Sequence, residues 1–201
     1  MKMRIIDRIL LLLTGLLAAY QIAIGIDGLS TCPMVAYSCA FGVLLVASLL
    51  LLILGFEALD SPFVVIVSTI IPLSLSAGLV WQYLPQWGTA YLIYAILGFV
   101  ATVITRSVKI KNKLPLVVLV IVHGIAGLTI FLLPILLVSF GLAPSSVLLI
   151  SLGGALIGLG GMLLALLKAG KPLLSRETIL QVLPVLLLLM TGAFVAGFAL
   201  G

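Results

Sequence analysis

Seven long apolar runs follow one another along this chain with scarcely any polar sequence between them. A helix rising about 1.5 Å per residue needs about 20 residues to cross a hydrocarbon layer of roughly 30 Å. The runs cover about 9–26, 34–55, 62–83, 89–105, 114–138, 146–167 and 178–200, each close to that length. Only 7% of the 201 residues are charged and 64% are hydrophobic, whereas a soluble domain carries about 25% charged residues to keep its surface hydrated. A soluble enzyme, a nucleic-acid-binding module and a disordered tail are thereby excluded. The net charge of +5 does not point to nucleic acid, because the basic residues sit in short clusters between apolar runs. The sequence therefore predicts an all-α integral membrane protein, a single polytopic domain over 1–201 with seven transmembrane helices and the lipid bilayer as its first partner.

The breaks between runs carry helix punctuation. Thr31-Cys32-Pro33, Asp60-Ser61-Pro62 and Ala143-Pro144-Ser145 each place a polar cap or a proline where a helix can begin. Leu174-Ser175-Arg176-Glu177 does the same, with a carboxylate in the first turn to meet the helix dipole. All ten basic residues fall on one side of a seven-span layout: Lys2, Arg4 and Arg8, then Arg106, Lys109, Lys111 and Lys113, then Lys168, Lys171 and Arg176. The positive-inside rule puts that side, and the N-terminus, in the cytoplasm and the C-terminus outside. Tyr20, Tyr37, Trp81, Tyr83 and Trp87 lie near the opposite helix ends, where an interfacial aromatic belt is expected. The first run is long for the core of a signal peptide and no A-x-A site follows it, so it is read as a retained span of a bacterial or archaeal plasma membrane.

Shifted self-comparison points to a repeat. An offset of 113 aligns Gly28-Leu29 with Gly141-Leu142 and Ser38 with Ser151; offsets of 112, 114 and 109 pair Pro72 with Pro184, Gly78 with Gly192 and Gly15 with Gly124. Helices one to three then correspond to five to seven in parallel orientation, with the fourth as connector, a 3+1+3 plan. In topology alone this plan resembles the layout of the SWEET sugar transporters and of the trimeric intracellular cation channels. The first-helix prolines of the former and the intramembrane lysine motif of the latter have no match here, and the orientation is opposite. A retinal protein is also excluded, since 178–200 holds no lysine.

Within the spans, small residues organise the sixth helix. Ser151, Gly154, Gly158, Gly161 and Ala165 recur at spacings of three and four and share one face, which predicts a close-packed seam; Gly158→Leu is expected to disrupt it. Polar residues inside spans are costly unless paired, which singles out Gln21, Gln82, Gln181 and His123. Pro72, Pro134 and Pro184 each free a carbonyl one turn earlier, and interrupted helices near mid-membrane are where transporters place sites. The pathway candidates are thus Gln21, Pro72, Gln82, His123, Gln181 and Pro184. Serine and threonine hydroxyls in the spans are expected to bond back to their own helices.

Glu57 and Asp60 form an acidic pair in the one cytoplasmic connection without lysine or arginine, placed to pair with the basic connections or to cap the third helix. Asp27 stands alone on the outer side. Cys32 and Cys39 are two helical turns apart, about 10 Å along the axis, beyond the span of a disulfide. One histidine cannot build a metal centre or ligate a haem twice, and no carboxylate dyad, Ser-His-Asp set or H-E-x-x-H appears. No cofactor, no metal and no catalysis are indicated. Two functions fit: a small transporter or channel for an uncharged or weakly charged solute, its pathway between two three-helix repeats, or a non-catalytic accessory subunit of a larger membrane complex. Either a homo-oligomer or other membrane subunits are compatible partners.

Overall fold

The computed structural model describes residues 3–108 and 113–201; Lys2, Lys109 and Lys111 of the basic clusters lie outside them. It is all-helical: α1 (Ile5–Ile24), α2 (Thr31–Leu54), α3 (Pro62–Tyr83), α4 (Pro85–Ser107), α5 (Leu114–Ser139), α6 (Leu148–Lys168) and α7 (Arg176–Leu200), with short 3-10 turns at Phe56–Asp60 and Ser145–Val147. Among the described residues, seven helices are long and apolar enough to cross a membrane.

Several ends differ from the sequence expectation, each for a local reason. α1 starts at Ile5 rather than near 9, because Arg4 and Asp7 close a reciprocal cap around its first turn. α2 begins at Thr31, so the Thr31-Cys32-Pro33 stretch is its first turn and not a break before it; a proline there forfeits only an N–H that has no intrahelical partner. α3 and α4 are joined through Leu84 alone, with Pro85 opening α4. Side-chain capping is rarer than expected: Ser61 makes no cap bond, whereas Ser175 Oγ accepts from the Thr178 amide at 3.1 Å.

Helices adjacent in sequence pack as antiparallel neighbours, and two further contacts close the bundle. α1 packs on α2, α2 on α3, α3 on α5, α5 on α6, α6 on α7 and α7 back on α1. Six helices thus form a ring, and α4 stands outside it against α3 and α5. One end of the bundle carries Arg4, Arg106, Lys113, Lys168 and Arg176, and is called the basic end below. All six ring helices fill the interior. Ala18, Phe41, Leu75, Ile130, Ile150 and Phe194 are buried in one cluster, and a smaller cluster of Leu73, Ala77, Ala95, Val122 and Ala126 seats α4. Tyr37, placed with the aromatic belt by its position near a helix end, is instead 2% exposed inside this core, its ring 4.5 Å from that of Phe198. Tyr20 and Trp87 are exposed, as belt residues would be.

Lipid supplies no hydrophobic drive between helices, so contact depends on close approach at small residues. A Cβ on Gly78 would lie 2.5 Å from the Tyr37 ring, and one on Gly153 equally close to Phe194. The α6 stripe divides. Ser151 Oγ donates to the Phe131 carbonyl of α5 at 2.7 Å, and a Cβ on Gly154 would meet Ile130 at 2.9 Å and the Phe131 amide nitrogen at 3.2 Å. Gly158, Gly161 and Ala165 are exposed, and nothing lies within 4 Å of a Cβ on either glycine. Gly154→Leu is therefore expected to push α5 from α6 and cost about 1–3 kcal/mol or more. Gly158→Leu should change stability by less than about 0.5 kcal/mol. Unfolding of the two variants in detergent measures the difference.

Candidate functional site

Polar side chains inside the spans fall into two groups at opposite ends of the ring. Most hydroxyls are satisfied within their own helices: Thr14 bonds the Leu10 carbonyl, Thr69 that of Val65, Ser76 that of Pro72, Thr102 that of Gly98 and Thr191 that of Leu187, all at 2.7–2.9 Å. What remains marks the places where side chains cross between elements.

At the end opposite the basic residues, α1, α2 and α3 bring Gln21, Tyr37 and Gln82 together. Tyr37 Oη donates to Gln82 Oε1 at 2.7 Å. Gln21, 3% exposed, donates from Nε2 to the Gly25 carbonyl at 2.9 Å, and its buried Oε1 has no partner. A cavity of about 20 Å³ lies beside it, lined by Gln21, Gly25, Met34, Tyr37, Ser38 and Phe41 among others, room for one water-sized group. Cys32 and Cys39 near this end are both free and exposed.

The basic end is tied by charge. Arg4 grips Asp7 through two side-chain bonds, Nη2 at 2.8 Å and Nε at 3.1 Å, and the Asp7 carboxylate is fully buried. That hydrogen bond, with the charges of Asp7 and Glu177 behind it, holds the Arg4 guanidinium above its ordinary pKa. Asp60 pairs with Arg176 at 3.0 Å, and Lys168 Nζ donates to the Leu59 carbonyl at 2.6 Å. Both contacts join the α2–α3 connection to the α6–α7 pair across the ring. Glu57 is exposed in the 3-10 turn, so the acidic pair separates in role. Gln181 Nε2 donates to Glu177 at 3.3 Å.

Between the two ends the candidates do not meet. Pro72 and Pro184 lie inside unbroken helices at mid-height, and the axis beside them is closed by Phe41, Leu75, Ile130, Met190 and Phe194. His123 belongs to the basic half, where its buried Nδ1 has no partner and Arg106 lies within Coulombic reach. Among the described residues no three His, Cys, Asp or Glu side chains gather. On the outer flank, α4 and α5 leave an open apolar groove of about 510 Å³ lined by Ala90, Tyr94, Leu97, Gly98, Val118 and Val122, among others. Tyr94 Oη to the Val122 carbonyl and Tyr91 Oη to Thr129 Oγ1, both 3.0 Å, pin the two helices beside it.

Sequence reasoning missed three members of these groups. The Arg4-x-x-Asp7 spacing was a signal for a capped helix start. Tyr37 and Arg106 gave none, since a tyrosine or arginine near a helix end reads first as an interfacial anchor. No family model, no curated protein and no solved structure matches the chain.

Two measurements check this geometry. Tyr37→Phe strands Gln82 Oε1 and should lower stability by about 1–2 kcal/mol. A double-mutant cycle on Asp60 and Arg176, both exposed, should return a coupling below about 1 kcal/mol.

Proposed function

We propose that the protein is a small integral-membrane transporter or channel for an uncharged or weakly charged solute, with the basic end in the cytoplasm and the pathway along the ring axis between α1–α3 and α5–α7. The orientation rests on the positive-inside rule. The closed ring carries the reading. Exchange α1 with α5, α2 with α6 and α3 with α7, and each neighbour pair becomes another: α1–α2 becomes α5–α6, α2–α3 becomes α6–α7, and α3–α5 becomes α7–α1. That is the pattern a parallel two-fold repeat produces, and α4 is then the connector. The corners agree. Gly28 and Gly141 hold left-handed φ of 75° and 68° before α2 and α6, and Gly55 and Gly170 hold 76° and 72° before α3 and α7. Glycine suits such corners because it has no Cβ to oppose positive φ. Pro72 and Pro184 interrupt the third member of each unit.

Two such units can rock about the α1–α7 and α3–α5 seams. In this form the axis is closed at mid-height by apolar side chains, while the Asp60–Arg176 and Lys168–Leu59 contacts bind the units at the basic end. Gln21 with Gln82, and Gln181, stand at the two mouths, where a solute exchanges water for protein hydrogen bonds. The filled axis also favours a second reading, a non-catalytic subunit of a larger membrane complex, for which the exposed Ile93, Ile96, Leu97, Val100 and Ile104 of α4 offer a contact surface. Reconstitution into liposomes with a panel of uncharged solutes separates the two. The transport reading expects flux of at least one solute, reduced about tenfold or more by Gln21→Leu or Gln181→Leu, since each removes hydrogen bonds of about 1–2 kcal/mol to a desolvated solute. Absence of flux, with other chains retained in native mass spectrometry, would establish the subunit reading instead.

A further inference from the structure

Positive charge at the basic end is matched unevenly. Arg4 and Arg176 each hold a carboxylate, at 2.8 and 3.0 Å, and Arg8 is exposed. Arg106, in the last turn of α4, has no acidic partner among the described residues, yet its Nε is buried and unbonded. It lies within Coulombic reach of Lys168 at the end of α6 and of His123 on α5, whose own buried Nδ1 is also unbonded. The acid that reaches Lys168, Asp60, is engaged by Arg176. Between residues 61 and 176 the sequence has six basic residues and no acidic one. Beside this cluster α6 turns its open glycines, Gly158 and Gly161, to unfilled space. Like charges from neighbouring helices, held partly out of water, need a counter-charge that this chain does not supply.

We propose that Arg106, with Lys168 beside it and His123 behind, forms a site for a phosphate-class oxyanion at the basic end of the ring. Guanidinium offers a planar fork of donors suited to such an anion, and Lys168 adds a second charge. The anion is either a free phosphate group or the phosphate of an anionic lipid in the adjoining leaflet; both present the same oxygens, and basic clusters between helices are known to take lipid headgroups. The site does not depend on the transport reading and stands or falls separately from it.

The test uses the full chain in phosphatidylcholine nanodiscs. One arm compares Tm in inorganic phosphate and in chloride at equal ionic strength. The other reads retention of phosphatidylglycerol against phosphatidylcholine by native mass spectrometry from an equimolar mixture. A preference in the first arm identifies free oxyanion, and in the second, lipid phosphate. Either preference is expected to fall about tenfold or more in Arg106→Gln, the loss of one charge-assisted hydrogen bond, and to survive Lys171→Gln in the exposed α6–α7 connection. Lys168→Gln, at an exposed position, gives the same comparison should Arg106→Gln fail to fold. No preference in either arm overturns the proposal. So does a preference unchanged in Arg106→Gln and Lys168→Gln, or one lost equally in Lys171→Gln, which would make it the general attraction of a basic surface.

Discussion

Everything in this bundle follows from the weakness of apolar attraction between helices in a solvent that is itself apolar. Burial of leucine gains nothing against lipid, so the helices are held by how closely their backbones approach and by the few polar contacts that cross between them. Gly78 under the Tyr37 ring, Gly153 under Phe194 and Gly154 against Ile130 are the places where that approach is made. Each pairs a missing Cβ with one large side chain. The aromatic residues seated there, with Phe41 and Met190, close the axis of the ring.

Polar contacts add position rather than bulk stability. The outer group, Gln21 with Tyr37 and Gln82, is buried and short. The basic group, Asp60–Arg176 and Lys168–Leu59, is exposed and joins elements far apart in sequence. This asymmetry gives the ring one end sealed by packing and one tied by charges that water and salt can loosen. In the proposed transport reading it is the tied end that opens at less cost.

Much of the architecture was legible before any coordinates. Seven helices follow from seven runs, and both ends of α3 were read correctly because Pro62 and Pro85 punctuate the chain there. Hydroxyl back-bonding was also foreseen, being set by each helix alone. What depends on neighbours was not. The small-residue stripe of α6 looked like one seam, but α5 meets only Ser151 and Gly154, while the residues that seat α7 are Gly153 and Gly160, off the stripe. Tyr37 read as an interfacial anchor because nothing in its own helix reveals that α3 offers Gly78 opposite. Periodicity reports which residues share a face; it is silent on which helix that face will meet.

The central claim is that the ring closes, bringing α7 back onto α1 with α4 left outside. Arg4, at the start of α1, lies within Coulombic reach of Glu177, at the start of α7. Arg4→Cys with Glu177→Cys, in a chain whose native Cys32 and Cys39 are replaced by alanine, tests this with a short bismaleimide in native membranes. Closure predicts an efficient link within one chain, and none when Glu177→Cys is replaced by Ser107→Cys at the basic end of α4. Failure of the first pair to link, or equal linking of the second, would contradict a closed six-helix ring.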